Sequence, residues 1–317
     1  MLLLAFTSVA RAGDDGFVVP AWPYPGNPVS PGPAVPPPVP ATPLRLPGSE
    51  QSFTRAQVTD LFAAPDWYPS RHPPMPHVVE YGRKPVVYAC GYCHLPDGQG
   101  RPENAALAGL TAAYIEAQVA DIRSGARRSA WHGTHLPSDF MRASAEHATD
   151  AEVASAAQYF SGLRLTRRVE VVEATLIPRV IESGWVHVVA GADDTETLGQ
   201  RIIEVAIDHE RHELRDSLSG YRAYVPQGSI TRGQTIAQSG QGGAALACVA
   251  CHGPDLRGVG VIPPLAGRSP TYMVRQLLAF RTGSRSSAAG ASMMPVVAQM
   301  NIDDMIAAAA YAASLEP

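Results

Sequence analysis

Apolar positions and capping residues mark five helical stretches, and a region of different pattern lies between the third and the fourth. Thr54-x-x-Gln57 has the form of a capping box, and Val58, Leu61 and Phe62 behind it supply one apolar face. Thr111 is placed as an N-cap before Tyr114, Ile115, Val119 and Ile122. Thr149-Asp-Ala-Glu152 is a second capping box; it opens a helix with Val153, Ala156, Ala157 and Phe160 inward, which Gly162 stops. Ser269 before Pro270 is a cap followed by a first-turn proline, and a last helix starts near Asn301 with Met305, Ile306, Ala309 and Tyr311. The pattern changes in residues 166–228. There Val169–Val172, Trp185–Val189 and Arg201–Ala206 read as strands, with a Gly/Asp turn near Gly191–Asp194, so a small sheet or hairpin is expected.

These stretches repeat. A shift of 158 places puts His94 on His252, Leu107-Ala-Gly109 on Leu265-Ala-Gly267, and Tyr114, Gln118, Arg123, Gly125 and Arg127 on Tyr272, Gln276, Arg281, Gly283 and Arg285. Beyond that point the second copy is six residues shorter, and a shift of 152 puts Met141 on Met293, Tyr159 on Tyr311 and Leu163 on Leu315. Packing residues and chemically active residues align together, so the chain is a duplication of one unit of about 80–90 residues, within the usual domain size. The expected organisation is a signal-like segment at 1–12, a Pro-rich extension at 13–75, a first unit at 76–165, a β-rich linker at 166–228 and a second unit at 229–317.

The duplicated chemistry is Cys90-Gly-Tyr-Cys93-His94 and Cys248-Val-Ala-Cys251-His252, which together use all four cysteines of the chain. C-x-x-C-H is the attachment string of c-type haem. Two thiols three places apart each add to one vinyl group of the porphyrin, and the following His binds the iron. A zinc site or a thioredoxin-like pair would leave a His after both cysteine pairs unexplained. The cofactors expected are therefore two covalently bound haem c groups, held by Cys90, Cys93, Cys248 and Cys251, with His94 and His252 on the irons. The repeat also selects sixth ligands. Of eight methionines, Met141 and Met293 are related by the duplication, each seven residues before a helix-opening boundary. Met294 is the rival of Met293, and His132 and His135 are rivals of Met141. The carbonyls of Ala105 and Pro263 are placed to take the free N–H of each iron-binding imidazole. Arg127 and Arg285 either face haem propionates or lie on the surface.

Composition narrows the partners. With 25 basic and 29 acidic residues the net charge is −4, which argues against a nucleic-acid binder. No apolar run approaches the roughly 20 residues of a membrane span. Met1–Ala12 ends in Ala-x-Ala and reads as a secretory signal without its basic region. Covalent haem attachment to bacterial proteins takes place outside the cytoplasm, which points to export and the periplasm. Residues 18–48 carry proline after proline, an extended stretch that is either a strap or docking arm or a spacer. His209-Glu-Arg-His212 is not H-E-x-x-H, because its histidines are three apart; it reads as a solvated charged surface.

The whole pattern resembles the class I cytochrome c family: an N-terminal helix, C-x-x-C-H, a Pro-x-Leu-x-Gly loop, a Met ligand, then a C-terminal helix with an aromatic. The tandem arrangement looks like the dihaem cytochromes c of bacterial respiratory chains. The resemblance covers residues 80–163 and 230–317. It implies a mainly α fold, with two tandem helical units joined by the β-rich segment and preceded by the Pro-rich extension. In the family a glycine of the N-terminal helix lets the C-terminal helix cross closely against its aromatic; Gly82 with Tyr159 and Gly233 with Tyr311 are the matching pairs. The function it implies is electron transport in the periplasm, with both haems His/Met ligated and without substrate chemistry of the protein's own. The partners expected are redox proteins: a donor dehydrogenase or quinol oxidoreductase and an acceptor oxidase or reductase, with membrane association through a partner complex. The rivals are a dihaem peroxidase, which needs one open iron, and an electron-transfer subunit of a larger dehydrogenase or oxidase complex.

Overall fold

The computed structural model describes residues 16–26, 41–191, 194–240 and 246–317. The signal-like segment, the prolines from Pro28 to Pro40, the middle of the Gly/Asp turn and Gln241–Gly243 lie outside the described residues. Among the described residues six α-helices precede the sheet: α1 (Arg55–Val58), α2 (His77–Glu80), α3 (Cys90–His94), α4 (Ala112–Ser124), α5 (Leu136–His147) and α6 (Asp150–Ser161). The strands are β1 (Val169–Glu173), β2 (Leu176–Pro178), β3 (Val180–Ser183), β4 (Val186–Val189), β5 (Thr195–Thr197), β6 (Ile203–Ala206) and β7 (Tyr221–Val225), with α7 (His209–Glu213) before the last. The chain then forms α8 (Ser229–Ser239), α9 (Val249–His252), α10 (Pro270–Arg281), α11 (Met293–Ala298) and α12 (Ile302–Ser314). No helix among the described residues is long and apolar enough to cross a membrane.

Local chemistry sets the helix ends. Thr54 with Gln57, Thr149 with Glu152 and Asn301 with Asp304 each form a reciprocal capping box, and Thr111 and Ser269 accept from the backbone N–H of Tyr114 and Tyr272. In the first unit Val79, Ile115, Ala157 and Phe160 close a small core between α2, α4 and α6. In the second unit α8 crosses α12 at very short range. A Cβ on Gly233 would collide with the carbonyl of Ala307 and stand 2.7 Å from Tyr311 Cβ, so only glycine fits. The matching idea for the first unit fails. Gly82 sits at φ +63° in the turn after α2, hemmed by the backbone of Val87–Ala89 rather than by Tyr159. The Tyr159 hydroxyl is instead 2.9 Å from the His72 ring and donates to Pro96 O at 2.7 Å.

The expectation of a mainly helical chain with a small β-rich segment holds only in part. Residues 169–225 form a five-stranded mixed sheet in the order β1-β7-β6-β4-β3, with β2 and β5 as a separate antiparallel pair. β7, which the strand pattern missed, pairs parallel with β1 (Val169↔Tyr221) and antiparallel with β6 (Ile203↔Tyr224). Its alternating inward face, Tyr221, Ala223 and Val225, shares one core with Ile236, Leu278, Met305 and Ile306 of the second unit. The middle region is therefore packed structure rather than a connector. Part of the Pro-rich extension is packed too: Tyr24 is buried and stacks on Trp131 at 5.6 Å, and Leu46, Trp67 and Tyr68 form a core with Leu214.

Candidate functional site

Each C-x-x-C-H string lies on a one-turn helix, α3 or α9, which sets its cysteines and histidine on neighbouring turns. The chain then folds back in the same way in both copies. Gly100 N donates to His94 O at 3.0 Å and Gly258 N to His252 O at 2.9 Å, and the backbone bridges Arg101 to Asn104 and Val259 to Ile262. The fold-back brings a carbonyl to each ring: His94 Nδ1 donates to Ala105 O at 2.7 Å, and His252 Nδ1 to Pro263 O at 2.8 Å. Both acceptors are those the sequence pointed to. A carbonyl can only accept, so the proton is on Nδ1 and the Nε2 lone pair is free for a metal. Burial, the largest influence, holds both imidazoles below their ordinary basicity, which keeps them neutral and able to ligate; the carbonyl bonds oppose this, and at His94 Arg127 adds to it.

Cys90, Cys93, His94, Met141 and His135 all line one cavity of about 430 Å³, walled by Ile115, Val119 and Phe160 among other side chains. Its size and mostly apolar wall suit a prosthetic group. Burial pushes the Cys90 thiol up to about 12, so this is an un-ionised, enclosed thiol rather than an exposed reactive one. His135 is buried. Its Nδ1 is 2.8 Å from Ser138 Oγ, and its Nε2 has no hydrogen-bond partner. His132 is exposed and does not line the cavity. In the second unit Cys248 is half-buried and Cys251 exposed; Met293, on α11, packs against the core that holds Val297 and Met305. The donors fit a covalently held haem in both units: each supplies two thiols and one oriented neutral imidazole, and in the first unit the Met141 thioether lines the same cavity.

Arg127 and Arg285 are not surface residues. They bridge to one another backbone to backbone across the boundary between the two units. Arg127 donates to Tyr272 Oη at 2.7 Å, Gln276 Oε1 at 3.0 Å and Gln118 Oε1 at 2.8 Å. Arg285 donates to Tyr114 Oη at 3.0 Å, Gln118 Oε1 at 2.7 Å and Gln276 Oε1 at 3.2 Å. The six residues are three repeat-related pairs, so the junction is pseudo-twofold. Sequence reasoning had matched all three pairs without assigning them to a junction. Arg268 and Arg275 enter the same seam, donating to the carbonyls of Ala106, Ala108, Pro102 and Pro23.

The reading of His209–His212 as solvated surface holds for His209 and Glu210, which are exposed, and fails for His212. His212 is 1 % exposed; its Nε2 accepts from Arg101, and its Nδ1 faces Tyr221 Oη at 3.2 Å. Arg101 comes from a distant part of the chain and Tyr221 from a strand without a local signal, which is why the charged string concealed them.

Comparison with known proteins points one way. The family model described as cytochrome c matches residues 230–316. Cytochrome c-554(548) of Halomonas halodenitrificans is 40% identical over 70 residues, 22% of this chain and 84% of its own length. The thiosulfate dehydrogenase electron acceptor of Stutzerimonas stutzeri is 27% identical over 237 residues, 74% of this chain and 82% of its own. Cytochrome c4 of Azotobacter vinelandii is 25% identical over 226 residues, 70% of this chain and 82% of its own.

Proposed function

From the premise that this chain belongs to the dihaem class I cytochrome c family and carries two covalently bound haem c groups, we propose that it is a periplasmic electron carrier whose two irons are both His/Met ligated, by His94 with Met141 and by His252 with Met293. The observation that carries the reading is the doubled geometry: two strings related by the repeat, each with its imidazole tied through Nδ1 to a carbonyl eleven residues on. A bound haem supplies one-electron ferric–ferrous exchange; the axial ligands, burial and hydrogen bonds of the chain tune its potential. Buried arginines at the junction favour haem propionates as their anionic partners, since an unpaired buried charge is costly and Arg285 Nε has no partner. The signal-like N-terminus supports the periplasm. Relatives named for thiosulfate and sulfide dehydrogenases support a dehydrogenase as electron donor; the acceptor in this reading is an oxidase or reductase.

A second reading concerns the first iron alone. His135 replaces Met141 as its sixth ligand, favoured by the unpartnered Nε2 in the same cavity. The far-red absorption band of Met–iron bonds separates the two. With both irons His/Met ligated, Met141→Ala and Met293→Ala each remove about half of the band. Full intensity in either variant refutes that assignment.

A further inference from the structure

The two attachment helices are equivalent by the repeat, yet their surroundings are opposite. The hairpin after α9 carries Val259 and Val261, 57% and 69% exposed, and Cys251 of the string is exposed as well. The same hairpin places after α3 hold Arg101 and Glu103, which pair at 3.0 Å with both side chains almost fully buried. What buries them comes from the middle of the chain. Arg101 donates to His212 on α7, and Arg215 lies 3.5 Å over the ring of Tyr92, inside the first string, while donating to Tyr92 O at 3.0 Å. Arg215 holds φ +56°, an uncommon backbone state for a side-chain-bearing residue, which persists where the surroundings over-determine it. The extension backs this layer, because Trp67 Nε1 donates to Leu214 O at 2.7 Å.

We propose that the β-rich module of residues 166–228 is a cover: it shuts the attachment edge of the first string from water and from other proteins, and leaves the edge rimmed by Val259 and Val261 as the place where this chain exchanges electrons with its surroundings. The inference rests on the electron-carrier reading. The Arg101–Glu103 pair suits a contact that must be specified inside the molecule, whereas the two valines turn more than half of their surface to solvent.

Two measurements on the holoprotein test the cover. The first is amide hydrogen exchange. Residues 90–94 exchange at least tenfold more slowly than residues 248–252, and Arg215→Ala accelerates the first segment only. Equal protection of the two segments in the unaltered protein overturns the proposal, whether or not the variant folds. The second is oxidation of the reduced protein by hexacyanoferrate(III), one electron passing from each haem to one iron complex. At low ionic strength the exposed double variant Val259→Asp/Val261→Asp lowers the overall rate roughly fivefold or more, because two carboxylates at the open edge repel the trivalent anion. A fall of twofold or less means that the first edge is open as well. A protein that gives no electrons to hexacyanoferrate(III) refutes the carrier reading, while hydrogen exchange still judges the cover.

Discussion

A neutral imidazole whose Nδ1 proton is held by a carbonyl presents one lone pair in one direction. His94 and His252 are both in this state, fixed by Ala105 O and Pro263 O. These acceptors were legible in the sequence because the fold-back after each string repeats. The first sixth ligand was less so: Met141 and His135 both reach the cavity, from α5 and the loop before it, and spacing alone does not say which faces the iron. On the Met141 assignment, His135→Phe leaves the ferric spectrum low-spin; conversion of half the haem to a high-spin form assigns that position to His135. A different histidine governs acid stability. Burial holds His187 down to about 4 against its ordinary 6.5. Between those values the unfolded chain takes up the proton and the folded one does not, so stability falls as pH drops from 6.5 to about 4. Replacing His187 by Gln removes that contribution, on the order of 2 kcal/mol, as judged by urea midpoints at pH 7 and pH 4.5; an unchanged pH slope contradicts it.

Elements with their own boundary signals were readable, and those assembled from distant parts were not. Thr149–Glu152 and Asn301–Asp304 mark the starts of α6 and α12 within four residues of sequence, and both boxes form. β7 lacks such a signal, because its partners β1 and β6 come from separate stretches and its pairing with β1 is parallel. The same cause hid the burial of His212. Thr149→Ala is expected to lower stability by about 1 kcal/mol in denaturant unfolding, through loss of a cap alone. Gly233→Ala is a harsher change, since its methyl group meets the backbone of Ala307 and neither helix can give way without disturbing the core around Met305 and Ile306. The expected cost is about 3 kcal/mol, with a visibly lowered thermal midpoint. A neutral substitution there shows that α8 and α12 are not held at this distance.

At the scale of the molecule, the duplication is nearly symmetric at its junction and asymmetric at its edges. Tyr114, Gln118 and Arg127 exchange hydrogen bonds with Tyr272, Gln276 and Arg285, so each unit satisfies the buried polar groups of the other. Arg285→Ala removes the donor to Tyr114 Oη and leaves Gln118 Oε1 with Arg127 alone inside the seam. It is expected to destabilise the chain by roughly 3 kcal/mol in urea unfolding, and a change below about 0.5 kcal/mol contradicts a shared buried junction. The edges differ because α7 and the chain after it cover the first attachment edge, while Cys251, Val259 and Val261 are exposed at the second. The proposed function makes both haems electron carriers that bind no substrate at the iron. Low-temperature electron paramagnetic resonance of the fully oxidised holoprotein, integrated against covalently bound haem, tests that most directly. The account predicts two low-spin ferric signals summing to two spins per chain, unchanged by cyanide within minutes. A high-spin signal near one spin per chain that converts rapidly with cyanide contradicts it and points to an open, substrate-binding iron.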